Sequence, residues 1–365
     1  MVDRSGISWK NPGESGQAVF AFDIPRRGAT VRCGEPEILR RIKDLPQSAG
    51  LSGAGGGYHP RVFSYRHAFH AGNHADVLKH LVLVASLRHL TQKDTALWVV
   101  DTHAGAGLYR LDGDYAGTSG EAADGILKLA GLAGKGQIGE QALAPVITDY
   151  LDAVKGFNKE GQWKIYPGSP FLAHRLLRSD TRDKLKLFEL HPTDSRALAA
   201  NVAQLGAGRM IGVTREDGFE ALKSVLPPPS RRALVLIDPS YEIKTDYVRL
   251  AATLRDALQR FATGVYMVWY PIIPRPEAHE LPRRLKTLAN QFRKPWLHAT
   301  LAVGQAAEAQ PLPGEEQKKG LLASGVFLVN PPHTLKPALQ AALPQLVTAL
   351  GRGRGQGHVL ESGGG

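Results

Sequence analysis

The 365-residue sequence holds a single cysteine, Cys33, so no disulfide can form within the chain. That scarcity fits a reducing compartment, and a cytoplasmic protein is expected. Long hydrophobic runs are also missing. None approaches the roughly 20 apolar residues that span a bilayer, so no membrane partner is expected. The first residues lack a basic segment followed by an apolar core, so no secretory signal is expected. Acidic residues are in deficit: 34 Asp and Glu face 45 Lys and Arg, for a net charge of +11. A basic balance favours a polyanionic partner, because each cation placed beside a phosphate releases counterions. Charge by itself is equally compatible with a merely charged surface. No internal repeat is visible.

Hydrophobic residues make up 43% of the chain, enough for a sizeable core. Residues 1–61 read as an irregular extension, since Gly50 to Gly57 is mostly glycine and periodicity is weak. A translation start near Val62 would leave them out of the protein. Residues 62–350 read as the folded domain and 351–365 as a glycine-rich tail. Short apolar runs predict strands at 96–101, 185–190, 209–213, 233–238, 264–270, 296–303 and 326–330. Helical spacing predicts helices at 75–90, 170–178, 193–204, 216–225, 245–261, 277–291 and 335–349. Such alternation implies an α/β fold with a doubly wound, mostly parallel sheet. Residues 112–166 interrupt it with helical patterns and no convincing strand, so they read as a small inserted helical subdomain.

The first strand runs into Asp101-Thr-His-Ala-Gly-Ala-Gly107. In open α/β sheets, ligands sit beyond the carboxyl ends of the strands, where glycine lets backbone approach them. The dinucleotide fingerprint needs a third glycine, and Arg110 stands there instead. An acid at the strand end followed by Ala-Gly-x-Gly resembles the first motif of S-adenosylmethionine methyltransferases. A tight strand–helix turn without a ligand reads equally well from this motif alone. Glu189 ends the second strand, where an acid commonly accepts from both ribose hydroxyls of an adenosyl ligand. It lies far beyond the usual spacing of roughly 20 residues, which the insertion explains. Asp217-Gly218 follows the third strand, where Asp217 can accept from the cofactor's adenine amine or cap the next helix.

Asp238-Pro239-Ser240-Tyr241 follows the buried run Arg232-Ala-Leu-Val-Leu-Ile-Asp238. An exocyclic adenine amine is a weak nucleophile because its lone pair is delocalised into the ring. A carboxylate and a carbonyl that accept its two N–H groups localise that pair and stabilise the developing positive charge. Asp238 and the Pro239 carbonyl can supply both acceptors, and proline stiffens the turn. Tyr241 is expected to stack on a base drawn out of its helix. The segment resembles the Asp-Pro-Pro-Tyr motif of amino-methyltransferases, except that Ser240 replaces the second proline. The expectation is a looser turn that keeps both acceptors.

Ser64-Tyr-Arg-His-Ala-Phe-His-Ala-Gly-Asn-His-Ala-Asp-Val-Leu-Lys-His80 is highly distinctive. Together with Tyr166-Pro-Gly-Ser-Pro170, Glu189-Leu-His-Pro192, Asp217-Gly-Phe219 and Trp269-Tyr-Pro271, it resembles the bacterial 23S ribosomal RNA adenine-N6 methyltransferase J family. The resemblance covers the chain from about residue 63 and leaves 1–61 outside it. It implies a Rossmann-like S-adenosylmethionine-dependent methyltransferase fold with an inserted helical subdomain. It also implies S-adenosyl-L-methionine as cofactor and 23S ribosomal RNA as partner; a monomer is expected. His80, His103, Ser169, Glu189, Asp217, Gly218 and Asp238 fall on its cofactor-contacting positions. Asp238 is also its catalytic acceptor, with Pro239 and Tyr241 completing the catalytic stretch. Tyr65 falls near the substrate adenine, as Tyr241 does. The spacing of His67, His70 and His74 also suits a zinc site on one helix face, but RNA contact or structural hydrogen bonding is the favoured reading and no metal is expected. Alternatives are a DNA adenine or protein-amide methyltransferase, a catalytically inactive RNA-binding relative marked by Ser240, and a nicotinamide oxidoreductase, which the missing third glycine disfavours.

Overall fold

The computed structural model describes residues 70–112, 120–159, 161–305 and 320–364. Tyr65, His67 and the 1–61 extension lie outside the described residues. In chain order the strands are β1 (Trp98–Asp101), β2 (Leu108–Arg110), β3 (Gln137–Ile138), β4 (Gln141–Ala142), β5 (Ile165–Pro167), β6 (Lys184–Phe188), β7 (Ile211–Thr214), β8 (Ala233–Ile237), β9 (Val265–Pro271), β10 (Trp296–Ala302), β11 (Ala323–Val329) and β12 (Gly357–Gly363). The α-helices are α1 (His74–Leu90), α2 (Lys128–Ala133), α3 (Pro145–Lys155), α4 (Ser169–Leu176), α5 (Pro192–Ala203), α6 (Gly218–Val225), α7 (Thr245–Arg260), α8 (Pro276–Gln291) and α9 (Leu335–Leu350).

Among the described residues, eight strands form one sheet in the order β12-β10-β11-β9-β8-β1-β6-β7. Strands β7, β6, β1, β8 and β9 pair in parallel. Strands β11, β10 and β12 extend the sheet by antiparallel pairing. The order reverses between β1 and β8, which opens a crevice at their carboxyl ends. Leu234, Val235, Leu236 and Ile237 of β8 alternate between two buried clusters, one on each face. A strand buried on both faces must be apolar at every position, which is why β8 reads as a continuous run. Each such side chain contributes about 1.5–3 kcal/mol.

Helix α1 is buried along nearly all its length, from His74 to Leu87. It packs against α3, α4, α9 and β11, so few of its positions are free to be polar. Asn73 caps it, accepting from the Ala75 and Asp76 amides at 2.9 Å each. Among the described residues no helix is long and apolar enough to cross a membrane.

Two expectations need correction. The 112–166 insertion does carry helices α2 and α3, but it also contains strands: the β3–β4 hairpin, and β5, which pairs with β2. These strands are two or three residues long, too short for a period-two pattern to show in the sequence. The glycine-rich tail at 351–365 is likewise structured, because Gly357–Gly363 forms edge strand β12 against β10. Its side chains are mostly exposed, so hydrophobicity gives no sign of it.

Candidate active site

One cleft of about 320 Å³ opens at the carboxyl edge of the parallel strands. The loop after β1 forms one wall. Gly105 and Gly107 adopt left-handed backbone, at φ 60° and 81°. A Cβ on Gly105 would stand 2.4 Å from the Tyr109 hydroxyl, so glycine keeps this loop close-packed. Glu189 follows β6 and accepts from the Gly105 amide at 2.7 Å and the His191 amide at 2.8 Å. Burial raises its pKa to about 7, against the pull of those two donors. Asp217 caps α6 through the Phe219 amide at 3.0 Å, and Arg249 holds its other oxygen at 2.7 Å. Gly218 is obligatory there, since a Cβ would lie 1.8 Å from the Thr102 carbonyl oxygen.

His103 is held by the Thr102 hydroxyl at 2.8 Å and meets the Phe219 ring edge-on at 4.9 Å. Burial lowers its pKa to about 4, so it is neutral at physiological pH. Ser169 begins α4 and donates to Asp101 at 2.6 Å. Burial lifts Asp101 to about 6 despite that bond. His80 shares a 2.7 Å hydrogen bond with the Tyr166 hydroxyl, which meets the Tyr150 hydroxyl of α3 at 3.0 Å. His80, His103, Ser169, Glu189, Asp217, Gly218 and Asp238 thus line one cavity, although the chain separates them widely. Of the N-terminal histidines, His70 bonds Glu121 at 3.0 Å and His74 is buried, its pKa lowered by burial to about 4.

Asp238 leaves β8 opposite this wall. Its Oδ2 accepts from Lys79 Nζ at 2.7 Å, and the same ammonium reaches Asp76 at 2.9 Å. Lys79 is only 5% exposed. Burial opposes its charge, but Asp238 and Asp76 outweigh burial and hold its pKa well above the usual lysine value. Trp269, at the end of β9, lies 5.5 Å from this ammonium and also lines the cleft. Lys79, Asp76, Arg249 and Trp269 carry no role in the sequence reading. Asp76 and Lys79, three apart within an otherwise apolar helix, are the signal that could have revealed a buried ion pair.

Tyr241 departs from the base-stacking expectation. It is 2% exposed, with its ring 4.7 Å from Tyr247 and 6.0 Å from Trp269. Its hydroxyl donates to the Trp269 carbonyl, and its own carbonyl accepts from Arg275 at 3.1 Å. Its φ of 56° turns the side chain into the core, a strained backbone that these contacts maintain. Tyr241 therefore braces the Asp238 turn. Ser240 is exposed at the cleft, and the Tyr241–Arg275 brace holds the turn that a second proline would stiffen.

Comparison with known proteins bears on this site. Residues 94–361 match the family model described as ribosomal RNA large subunit methyltransferase D, RlmJ. The chain is 40% identical over 301 residues to ribosomal RNA large subunit methyltransferase J of Escherichia coli K12, covering 82% of this chain and 98% of that one. It is 38% identical over 291 residues to the Haemophilus influenzae Rd protein of the same name, covering 79% and 94%. A Legionella pneumophila Philadelphia 1 crystal structure superposes with a TM-score of 0.66 at 30% identity, covering 81% of this chain and 98% of that one.

Proposed function

Because the chain belongs to the ribosomal RNA large subunit methyltransferase J family, we propose that this rRNA methyltransferase transfers a methyl group to the N6 amine of an adenine in 23S ribosomal RNA. The observation that carries this reading is the Asp238 turn at the topological switch point, facing a wall of adenosyl-type acceptors.

The cleft fits S-adenosylmethionine. Glu189 would take the ribose hydroxyls and Asp217 the adenine amine. Gly105 and Gly218 leave no Cβ in the way of close packing. His80, His103 and Ser169 complete the binding wall. When bound, the cofactor supplies an electrophilic methyl group on a sulfonium. Asp238 Oδ2 is already held by Lys79, which leaves Oδ1 to accept one N–H of the target amine. The Pro239 carbonyl accepts the other. These two acceptors localise the amine lone pair and stabilise the charge that develops on nitrogen. Lys79 fixes the carboxylate rotamer. The amine's surplus proton leaves by way of Asp238 Oδ1. Trp269, rather than the buried Tyr241, offers an aromatic surface in the cleft for an extruded base. Tyr65 belongs to this proposal only through the family resemblance.

The test incubates the protein with labelled S-adenosylmethionine and unmethylated 23S RNA, then digests the RNA to nucleosides. N6-methyladenosine is the expected product, with Asp238→Ala lowering turnover by about 10³-fold. Wild type without that product, or a fully active Asp238→Ala, would overturn the reading. Parallel arms with DNA and peptide identify a different acceptor if one exists.

A further inference from the structure

The stretch Gly351-Arg-Gly-Arg-Gly-Gln-Gly357 has no part in the cleft chemistry. We propose that it is a preformed phosphate-binding platform, which grips the RNA backbone flanking the target nucleotide. The proposal rests on the RNA-substrate reading and deepens it.

The loop is held firmly. The Arg352 amide donates to Val303 at 2.7 Å, and the Gln305 amide donates to Arg354 at 2.9 Å. The Gly353 amide donates to the Gln356 side chain at 2.9 Å. Gly304 packs so closely that a Cβ there would lie 2.6 Å from the Arg354 carbonyl oxygen. Gly353 and Gly355 take φ of 117° and 84°, which only glycine adopts readily. The glycines therefore shape a fixed turn whose long side chains are Arg352, Arg354 and Gln356. A fixed turn presents arginines with less ordering cost on binding than a flexible tail would.

Its position suits the substrate. Strands β9 and β10 both pair antiparallel with β11, so they run in the same direction. The loop packs beside the carboxyl end of β10, on the sheet edge that carries Asp238 and Pro271. Arg352 meets Asp124 at 3.1 Å, in the π-helical turn Ala123–Leu127. The next residue but one in that turn, Ile126, donates its amide to Gly72 at 2.8 Å, directly before cleft-lining Asn73. Exposed Lys128 reaches the Gly351 carbonyl at 3.5 Å. Arg354 is exposed and makes no ion pair among the described residues. Among the described residues, Lys128, Arg352 and Arg354 thus form a basic rim in which Asp124 pairs with Arg352. The guanidinium fork matches phosphate oxygens. The loop carries no aromatic residue on which a base could stack, which leaves charge contact with the backbone as its main interaction.

The full chain, saturated with S-adenosylhomocysteine, is titrated with an unmethylated 23S RNA fragment at several salt concentrations. Arg354→Gln should weaken RNA binding about threefold, and Arg352→Gln with Arg354→Gln about tenfold. The slope of log Kd against log salt should become shallower by about one for each arginine lost. Arg354→Lys should keep the wild-type salt slope, because the charge stays, and lose less affinity than Arg354→Gln. Turnover at saturating RNA and S-adenosylhomocysteine affinity should not change. Unchanged RNA affinity and slope in an Arg354→Gln protein with wild-type melting overturn the platform while leaving the substrate reading intact. A wild-type protein that binds no RNA overturns both.

Discussion

Trp269 and Tyr270 are neighbours on β9, yet they belong to two different polar clusters on opposite faces of the sheet. On the Trp269 side, Lys79 lies between Asp76 and Asp238, and the cluster opens into the cleft. On the Tyr270 side, the tyrosine hydroxyl bonds His298 at 2.7 Å, His298 meets Glu361 at 3.2 Å, and Lys286 pairs with Glu361. That second cluster has the look of a proton relay, but Tyr270 is buried and lines no part of the cleft. It ties edge strand β12 to β10 and α8. What sets the first cluster apart is its access to the cavity and the Asp238 oxygen that Lys79 does not hold.

The strongest way to break this contrast is Lys79→Met. It leaves two carboxylates facing each other, and should cost about 3–5 kcal/mol in stability. Methyl transfer should fall by at least about 100-fold. Thermal melting and single-turnover kinetics check both; intact turnover would reduce the first cluster to a staple like the second. Next comes pH. Burial places Glu189 at about 7, so its ionised form is lost below that value. S-adenosylhomocysteine affinity should drop by about tenfold per unit of acidification there, and Glu189→Gln should flatten the profile. Stability runs the other way. The folded protein binds more protons than the unfolded chain between the ordinary carboxylate range and about 7, so Glu189 destabilises the fold progressively as pH rises through that window. A pH series of melts on wild type and Glu189→Gln measures this sign.

The second cluster should respond only in stability. Glu361→Gln removes the charge that pairs with Lys286, and should cost at most about 1 kcal/mol, because the pair is partly exposed, while leaving turnover within twofold. An effect of similar size belongs to Tyr241→Phe. It deletes one hydroxyl bond to the Trp269 carbonyl, about 1 kcal/mol, and should keep activity within threefold because the ring stays outside the cleft. A large loss of turnover with normal RNA affinity would restore Tyr241 as a residue of the reacting centre.

Much of this was legible along the chain. The apolar run before Asp238 announced a strand buried on both faces, and the glycines after Asp101 announced a close-packed loop. Glu189 and Asp217 could be placed because strand ends in such a sheet converge. The reach of Lys79 to Asp238 could not, since spacing along the helix pairs Lys79 only with Asp76. Tyr241 was misplaced because a motif specifies residue types, whereas its φ of 56° decides which way the ring turns. Strand β12 was hidden because an exposed edge strand needs no hydrophobic pattern to hydrogen-bond its neighbour.

Local hydrophobic period and turn chemistry act between neighbours in the chain, so the residues themselves determined the alternation of strands and helices and the Asp238-Pro239 turn at a strand end. The ion pair between Lys79 and Asp238 spans much of the sequence. So does the anchoring of the arginine loop on β10. Such contacts depend on how the sheet orders its strands, so only the tertiary structure decided which buried charge meets the Asp238 carboxylate and which glycines hold a loop still.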